Sequence, residues 1–274
     1  MTVTLQLSPP TTPPADEDCV SAPPLALNTG VDVILAQHQD DVPSTCVIGA
    51  ADAVYDLTLA EASDILLIGD KSAGDTASVV LSQPTCGGDT DELICAAGTG
   101  NRQRGRYRNL PAGNYKVVAE SVQAQPMRIT ALVRPAVPPT LVPFANTCGA
   151  VQAIPSTGGF FQGNTVNAQP DFEHGCDQGG LPPGGGPDQI LSLTLTTPKR
   201  VVLDMLGSAY TTLLAVKEGP SCPGLEVPFG CAAGFGAQRS FLDLELQPNT
   251  YFIVVDGYAG NAGPWFLDVH VVDP

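Results

Sequence analysis

Three kinds of side chain in this sequence could do chemistry: cysteines, clustered carboxylates and a run of arginines. No catalytic motif joins them, because GxSxG and HExxH are both absent and the three histidines stand apart. The last histidine, His270, falls in the final predicted strand and is expected on its solvent face. The chain is therefore predicted to be without catalytic machinery. The three histidines are His38, His174 and His270.

The eight cysteines form two matching sets of four. Cys86 and Cys95 lie nine positions apart, and so do Cys222 and Cys231. An even count without a CxxC pair predicts disulfides rather than zinc sites, and hence an oxidising compartment. The match leaves three pairings per set, of which we favour the sequential one. It consists of Cys19–Cys46, Cys86–Cys95, Cys148–Cys176 and Cys222–Cys231.

Clustered carboxylates are the candidates for a metal site, since calcium takes about six to eight oxygen ligands from Asp, Glu and carbonyl groups. One cluster precedes the first core strand, and another occupies the loop between Cys86 and Cys95. Solvated turns, which aspartate also favours, are the competing interpretation. Calcium is the only cofactor that the sequence suggests. The candidate ligands are Asp16, Asp18, Asp89 and Asp91.

Four of the 12 basic residues alternate along NRQRGRYRNL, which places them on one face of a strand. In the matching segment of the second half, Leu242 and Leu244 have the spacing of a core face. Arginines cannot enter a core unpaired, so either a bulge or slip turns them outward or the face meets an acidic partner. A charge-protected edge strand is the alternative to a docking face. The predicted docking face consists of Arg102, Arg104, Arg106 and Arg108.

The acidic balance restricts the partners. A formal net charge of -16 argues against nucleic acid and anionic lipid, which are bound mainly through Lys and Arg. No apolar run approaches the ~20 residues that span a bilayer, so no membrane insertion is expected. We expect an extracellular or cell-surface location, with the signal peptide absent from this chain. Expected partners are further copies of the chain, other surface proteins, an acidic polymer or a polysaccharide.

An internal repeat determines the fold class. DAVYDLTL from Asp52 matches DQILSLTL from Asp188, and LPAGNYKVVAES from Leu110 matches LQPNTYFIVVDG from Leu246; each match has an offset of 136 residues. Short apolar or alternating runs separated by Gly, Pro, Asn and Asp are typical of strands, and VDVILAQHQ is the one weak helical pattern. The sequence predicts an all-β fold of two tandem antiparallel β-sandwich, jelly-roll-like domains stapled by disulfides.

The second copy resembles a known family. The runs GPDQILSLTLTTPKRVVLDMLGSAYTTLLAVKEGPSC and RSFLDLELQPNTYFIVVDGYAGNAGPWFLDV are similar to the bacterial pre-peptidase C-terminal domain, in the tandem cysteine-containing version of secreted and surface proteins. The resemblance covers most of residues 144–274 and, more loosely, 15–135. It implies a jelly-roll-like sandwich and a non-catalytic role as an appendage of a secreted enzyme or a surface module. Some members of the family bind calcium, collagen or polysaccharide.

The repeat also divides the chain. The predicted segments are an N-terminal strand with a proline-rich linker over 1–14, a first domain over 15–136, a second proline-rich linker over 137–146 and a second domain over 147–274.

The opening segment MTVTLQLSP alternates apolar Val3, Leu5 and Leu7 with polar residues and resembles the last strand of each domain. Three explanations stay open. The strand is a remnant of a longer array, an added edge on its own first domain, or a strand donated to a neighbouring copy. The first functional hypothesis is therefore an extracellular assembly or surface module. The alternatives are a polysaccharide- or matrix-binding appendage of a secreted enzyme, and a hydrolase with an unrecognised site.

Overall fold

The computed structural model describes residues 12–72, 74–143, 147–177, 185–236 and 239–274. The predicted opening strand at Val3, Leu5 and Leu7 lies outside these residues. The fold is all-β, as predicted, with its strands in four sheets. Nowhere in the described part of the chain is a helix long and apolar enough to cross a membrane.

The chain divides into two compact units, Met1–Leu132 and Val133–Pro274, called here the first and second domains. This boundary falls before residue 136, where the sequence predicts the end of the first domain. The strands of the first domain are β1 Gly30–Val33, β2 Ala51–Leu59, β3 Ser63–Lys71, β4 Ala77–Ser82, β5 Glu92–Gly98, β6 Arg102–Leu110, β7 Gly113–Ser121 and β8 Met127–Pro135, of which the last three residues, from Val133, already belong to the second domain. Sheet I has the order β1-β8-β3-β6, and sheet II has the order β2-β7-β4-β5.

The second domain repeats this arrangement with one more strand in each sheet. Sheet III has five strands, and so does sheet IV. The orders are β16-β13-β18-β11-β9 for sheet III and β10-β12-β17-β14-β15 for sheet IV, and the bounds are β9 Thr140–Leu141, β10 Gln152–Ile154, β11 Gly158–Asn164, β12 Gln189–Leu195, β13 Lys199–Asp204, β14 Thr212–Glu218, β15 Leu225–Gly234, β16 Phe241–Leu246, β17 Asn249–Gly257 and β18 Pro264–Val272.

Alternating apolar residues of sheets III and IV meet in one core. Leu191 and Leu193 of β12 pack in the same cluster as Leu203 of β13 and Trp265 of β18. The ring of Trp265 is 1% exposed, and its indole N–H donates to Oε1 of Gln189 at 2.7 Å. The polar atom of this large side chain is therefore satisfied inside the core.

The weak helical pattern VDVILAQHQ does not form an α-helix. Its first part is β1, which pairs with β8 from Gly30↔Thr130 to Val33↔Met127. Leu35–Gln37 then forms a single 3₁₀ turn. The apolar spacing that suggested a helix arises because a short strand and a turn each bury one side chain, Val33 and Leu35.

The favoured disulfide pairing is wrong. The structure joins first to third and second to fourth cysteine in each domain, and the same pattern in both domains follows from the repeat. Cys95 lies within β5, opposite Val80, whereas Cys86 lies in the loop after β4. Nine positions along a hairpin therefore do not bring these two side chains together. The bridges are Cys19–Cys86, Cys46–Cys95, Cys148–Cys222 and Cys176–Cys231.

The predicted solvent exposure of His270 is also wrong, because the residue is 1% exposed. It does lie on the side of β18 opposite Val269, which belongs to the core. That side is nevertheless buried around Asp268, whose Oδ1 is 3.4 Å from His270 Nε2 and 2.8 Å from an Arg134 nitrogen. Strand alternation alone therefore predicted the side of the strand but not its burial.

Candidate functional site

Two matching sheet edges differ between the domains. In the second domain, β9 runs parallel to β11, with Thr140 opposite Phe161 and Leu141 opposite Gln162. The N–H of Val142 continues this pairing by donating to the carbonyl of Gln162 at 2.8 Å. In the first domain, the corresponding sheet ends at β1 as far as the described residues go. Sheet III therefore has a strand from the preceding segment at a position where the described part of sheet I presents an edge.

Apolar side chains flank the β1 edge. Leu27, just before the strand, is 38% exposed, and Ile34, just after it, is 67% exposed. Within the strand, Asp32 pairs with Arg128 of β8 at 2.7 Å. An edge strand of this kind offers backbone groups that can pair with a further strand, and the flanking apolar residues could pack against that strand's side chains.

The predicted arginine face lies on β6, and a bulge sets its direction. Ser63 is opposite Leu110 and Ile65 is opposite Tyr107, so β6 carries one residue more than β3 over this interval. Asn109 takes the left-handed φ of 52° that this bulge requires. No such shift interrupts the described pairing of β13 with β16. The extra residue reverses the alternation, so the arginines lie on the side opposite the core.

The first and last arginines of this face form ion pairs with two aspartates of β3. Asp70 pairs with Arg102. Asp64, whose side chain is fully buried, accepts from Arg108 at 3.2 Å and from the backbone N–H of Asn109 at 2.9 Å. Arg104 is only 6% exposed. The docking role of Arg102, Arg104, Arg106 and Arg108 stays a prediction, and its exposed portion is smaller than the sequence suggests.

The inward positions on β6 are taken by smaller or polar residues. Gly105 occupies the position that matches Leu242, and a Cβ there would overlap the side chain of Ile94. Only glycine fits at this close approach between β5 and β6. Where the second domain has the side chain of Leu242, the first domain therefore has the backbone of Gly105 packed against Ile94.

The four predicted calcium ligands lie in separate local structures. Asp16 accepts from the Tyr55 hydroxyl at 2.6 Å and lies 3.0 Å from Nε2 of His38. Burial raises the pKa of Asp16, but these two hydrogen bonds, a backbone hydrogen bond and the charge of His38 together lower it below its ordinary value. Asp18 accepts the backbone N–H groups of Val20 and Ser21, both at 2.8 Å.

The other two candidates lie in the loop between β4 and β5. Asp89 belongs to a 3₁₀ turn, and Asp91 closes the loop by accepting from the N–H of Gly87 at 2.6 Å. Among the described residues, no group of three or more His, Cys, Asp or Glu side chains is arranged to hold a metal ion. Calcium binding at Asp16, Asp18, Asp89 and Asp91 stays a prediction.

A pair of buried carboxyl groups occupies matching positions in the two domains. In the first domain, Asp52 of β2 lies directly opposite Glu120 of β7. In the second domain, Gln189 of β12 lies opposite Val255 of β17. The next residues outward, Asp188 and Asp256, are therefore opposite each other as well. All four side chains are at most 1% exposed. Two ionised carboxylates opposite one another on a sheet repel, and burial removes the water that would screen them.

One member of each pair fastens a loop to the sheet. Asp52 accepts the N–H groups of Asp41 and Val42, both at 3.0 Å. Asp188 accepts the corresponding N–H groups of Asp171 at 2.9 Å and Phe172 at 3.0 Å. The loops they hold lead to Cys46 and Cys176, so each carboxyl group helps to position a disulfide.

Burial raises the pKa of these carboxyl groups, and acidic side chains nearby add to the effect. The pKa is raised to about 7 for Asp52, about 7 for Asp188 and about 8 for Asp256, and that of Glu120 is also raised. In the second domain, Nε2 of His174 lies 3.5 Å from Asp256. Burial, together with the charge of Lys217, lowers the pKa of His174 to about 4. At pH 7, His174 and Asp256 are therefore mostly uncharged, whereas Asp188 is near the midpoint of its titration.

These pairs were not predicted from the sequence, although the sequence carries a signal of them. Asp52 and Asp188 begin the first repeated motif, and Glu120 and Asp256 lie near the end of the second. In both copies an acidic residue stands at the same place in a strand whose other residues are mostly apolar, where a buried apolar residue would be expected. Such an exception predicts a buried polar pair with a structural role.

Each domain has a cavity beside the segment that precedes its first cysteine. The cavity of the first domain has a volume of about 330 Å³ and is lined by Pro13, Pro14, Glu17 and Asp41 among others. The cavity of the second domain has a volume of about 490 Å³ and is lined by apolar side chains and carboxamides without a charged group. The first of these cavities therefore has an acidic lining and the second an uncharged one.

No family model matches this chain, and no curated protein matches it. Among solved structures it is similar to the pre-peptidase C-terminal domain of a collagenase from Bacillus anthracis, with 12% identity, 50% of this chain and 97% of that chain covered, and a TM-score of 0.28. For the CUB1-EGF-CUB2 domains of human MASP-1/3, the identity is 10%, the coverage 89% of this chain and 100% of that chain, and the TM-score 0.24.

A third similar structure is the M60 catalytic domain with two CBM51 domains of Clostridium perfringens ZmpB. The identity is 8%, the coverage 81% of this chain and 34% of that chain, and the TM-score 0.24. This chain thus spans about a third of the ZmpB structure it matches. At these identities and TM-scores the comparisons assign neither a family nor a function, and the resemblance to the pre-peptidase C-terminal domain stays an interpretation of the sequence.

Proposed function

We propose that this chain is a non-catalytic extracellular subunit that assembles by adding its N-terminal segment as a strand to β1 of a neighbouring copy. The observation that supports this is the difference between two matching edges. The segment ahead of the second domain supplies β9 to sheet III, whereas sheet I ends at β1 among the described residues. Among the residues that the structure describes, the first domain therefore has an edge at the position where its repeat accepts a strand.

The N-terminal sequence suits this edge. Val3, Leu5 and Leu7 share one side of an extended segment, with polar residues on the other. The exposed Leu27 and Ile34 beside β1 offer apolar contacts for the first side. The proline-rich sequence that follows favours an extended conformation, which helps the segment to reach another copy.

Disulfides support the extracellular part of the proposal. All eight cysteines are paired in four bridges. Such bridges persist in oxidising compartments and are rare where glutathione keeps thiols reduced. A subunit held by disulfides and by backbone pairing at sheet edges suits a structural role outside the cell.

The test separates the acceptor edge from the donated strand. A fluorescent peptide with the sequence of residues 1–9 is titrated into the chain lacking those residues, and the intact chain is followed by sedimentation velocity over a range of concentrations. We expect saturable peptide binding, and oligomers of the intact chain that are larger than those of the truncated chain at every concentration. A peptide with Val3, Leu5 and Leu7 replaced by serine is the matched control and should not bind.

Two results would contradict the proposal. An intact chain that stays monomeric while the truncated chain binds the peptide would mean that the strand packs on its own domain. Absence of peptide binding, with circular dichroism of the truncated chain unchanged, would mean that β1 is not the acceptor. In that case retention of the monomer on a glycan or matrix column would support the appendage hypothesis instead.

A further inference from the structure

One lateral edge of the second domain exposes apolar side chains around a strained turn. On β15, Leu225 is 80% exposed and Phe229 is 92% exposed. Phe229 lies where β15 loses register with β14, between the pairs Ala215↔Cys231 and Lys217↔Glu226. Its φ of 59° is in the left-handed region, which a bulky side chain rarely adopts. The bulge thus holds an aromatic ring out in solvent at a backbone cost, which is a common feature of binding sites.

The opposite lateral edge contains the uncharged cavity. In sheet IV, β15 is an edge strand that lies beside β16, and β16 is one edge of sheet III. The other edge of sheet III is β9, where the cavity of about 490 Å³ opens. Leu141, on its rim, is 69% exposed. A protruding aromatic residue and an apolar cavity therefore lie on opposite sides of one sandwich.

The lining of this cavity suits an aromatic ring better than a charged group. Val142, Pro143, Pro264 and Trp265 supply apolar surface. The polar lining consists of carboxamides, and the amide of Gln189 already accepts from the Trp265 indole at 2.7 Å. Since burying a charge without a partner is costly, a cavity of this composition favours an uncharged occupant.

We propose that Phe229 of one copy inserts into this cavity of a second copy, joining second domains head to tail. The contact uses two different surfaces of the same domain, so it does not close on itself in a pair and can continue from copy to copy. This contact rests on the proposed function only in one respect, which is that copies of the chain associate with one another. It uses a surface other than the β1 edge, so the two proposals can fail separately.

The single tryptophan of the chain makes the cavity directly observable. Trp265 lines the cavity, and no other tryptophan contributes to the emission. Trp265 is 1% exposed, so entry of a phenylalanine ring changes the packing around the indole rather than its contact with bulk water, and the emission of the intact chain should shift in wavelength or intensity as concentration rises. Phe229→Ser should raise the concentration of half-transition by at least about tenfold, the loss typical of a central interface residue. Ile48→Ser, at an 86% exposed position of the first domain, is the matched control and should behave as the intact chain.

A mixing experiment tests the head-to-tail geometry. Gln162 lines the cavity and is partly buried, so Gln162→Phe should fill the cavity while Phe229 stays available. Phe229→Ser keeps an empty cavity but no ring to donate. Neither variant alone should show the emission shift, and an equimolar mixture should recover it, because the ring of one variant enters the cavity of the other.

The outcomes separate the two proposals. An unchanged shift in Phe229→Ser, or a mixture that fails to recover the shift, would overturn the proposed contact. So would an intact chain whose emission does not depend on concentration. Circular dichroism matching that of the intact chain establishes that each variant is folded. Failure of the peptide of residues 1–9 to bind, with the Trp265 response intact, would overturn the proposed function of β1 and leave this contact standing.

Discussion

Strands β6 and β16 occupy the same place in the two domains, yet one carries arginines and the other leucines. In β16, the register with β13 is continuous and Leu242 packs in the core. In β6, one extra residue at Asn109 reverses the alternation, and Gly105 takes the core position. A single inserted residue therefore converts a core face into a charged face without a change in topology.

The domains also differ in what lies at their edges. The second has β9 on β11 and an uncharged cavity, whereas the first has the bare β1 edge and an acidic cavity as far as the structure describes them. Both retain the same disulfide pattern and the same carboxyl pair. The repeat thus preserves the groups that hold loops to sheets and varies the groups that face outward, which is where the proposed contacts lie.

The largest expected effect tests the shared disulfide pattern. Replacing Cys46 and Cys95 by serine opens a bridge with a sequence separation of 49, and replacing Cys176 and Cys231 opens one with a separation of 55. Each should lower the free energy of unfolding of its own domain by about 4 kcal/mol on the loop-entropy model. Denaturant titration measures the loss, and digestion without reduction should recover these linked peptides. Sequential peptides such as Cys86 linked to Cys95 would contradict the structure.

The next effect tests the carboxyl pairs through pH. The pKa of Asp256 is raised to about 8, above its value of about 4 in the unfolded chain, so the folded state binds the extra proton. Stability from this group is fully present below about pH 4 and is lost as pH rises towards 8. Asp256→Asn removes one titrating group, which contributes at most about 1.4 kcal/mol per pH unit.

The measurement is the free energy of unfolding of the intact chain and of Asp256→Asn from pH 5 to 8. The difference between them should change steadily in favour of the variant as pH rises. Asp52→Asn should do the same in the first domain, where the pKa is raised to about 7. Glu61→Gln, at an exposed position, is the control. Parallel curves for Asp256→Asn and the intact chain would show that the pair does not titrate in this range.

A smaller effect sharpens the comparison of β6 with β16. Asn109→Val places a β-branched residue at a φ of 52° and should cost about 1–2 kcal/mol. Asn109→Gly, which adopts this conformation freely, should be close to neutral. Thermal unfolding of the two variants measures the difference. Equal stability of Val and Gly variants would mean that the bulge does not constrain the backbone at this residue.

The smallest effect concerns the exposed end of the arginine face. Arg102 is paired with Asp70, and their side chains are 38% and 35% exposed. Solvent screens such a pair, so Arg102→Gln should change the free energy of unfolding by less than about 1 kcal/mol. Denaturant titration at low and at high salt provides the check. A loss several times larger would indicate that this pair has a structural role.

Much of the fold was predictable from the repeat. DAVYDLTL and DQILSLTL form β2 and β12, and the other repeated motif forms β7 and β17. The outward turn of the arginines was one of two stated alternatives, because three unpaired arginines cannot enter a core. The position of the bulge was not predictable, since the left-handed conformation of Asn109 depends on Asp64 of the neighbouring strand.

The errors share a physical cause, which is long-range packing. Cys86 and Cys95 are close in sequence but lie in a loop and a strand interior, so their partners come from the loops ahead of each sheet. His270 has the alternation of a surface residue, but Asp268 and Arg134 surround it. Local patterns determine which side of a strand a residue occupies, whereas its burial depends on what packs there.

Negative-stain electron microscopy of the Phe229→Ser chain, beside the same variant lacking Met1–Pro9, tests the central claim most directly, because the substitution leaves the N-terminal strand as the proposed contact under test. We predict filaments or extended oligomers from the variant that keeps Met1–Pro9 and isolated particles from the truncated one. Isolated particles from both, at concentrations where the truncated chain is shown to be folded, would contradict assembly through the N-terminal strand.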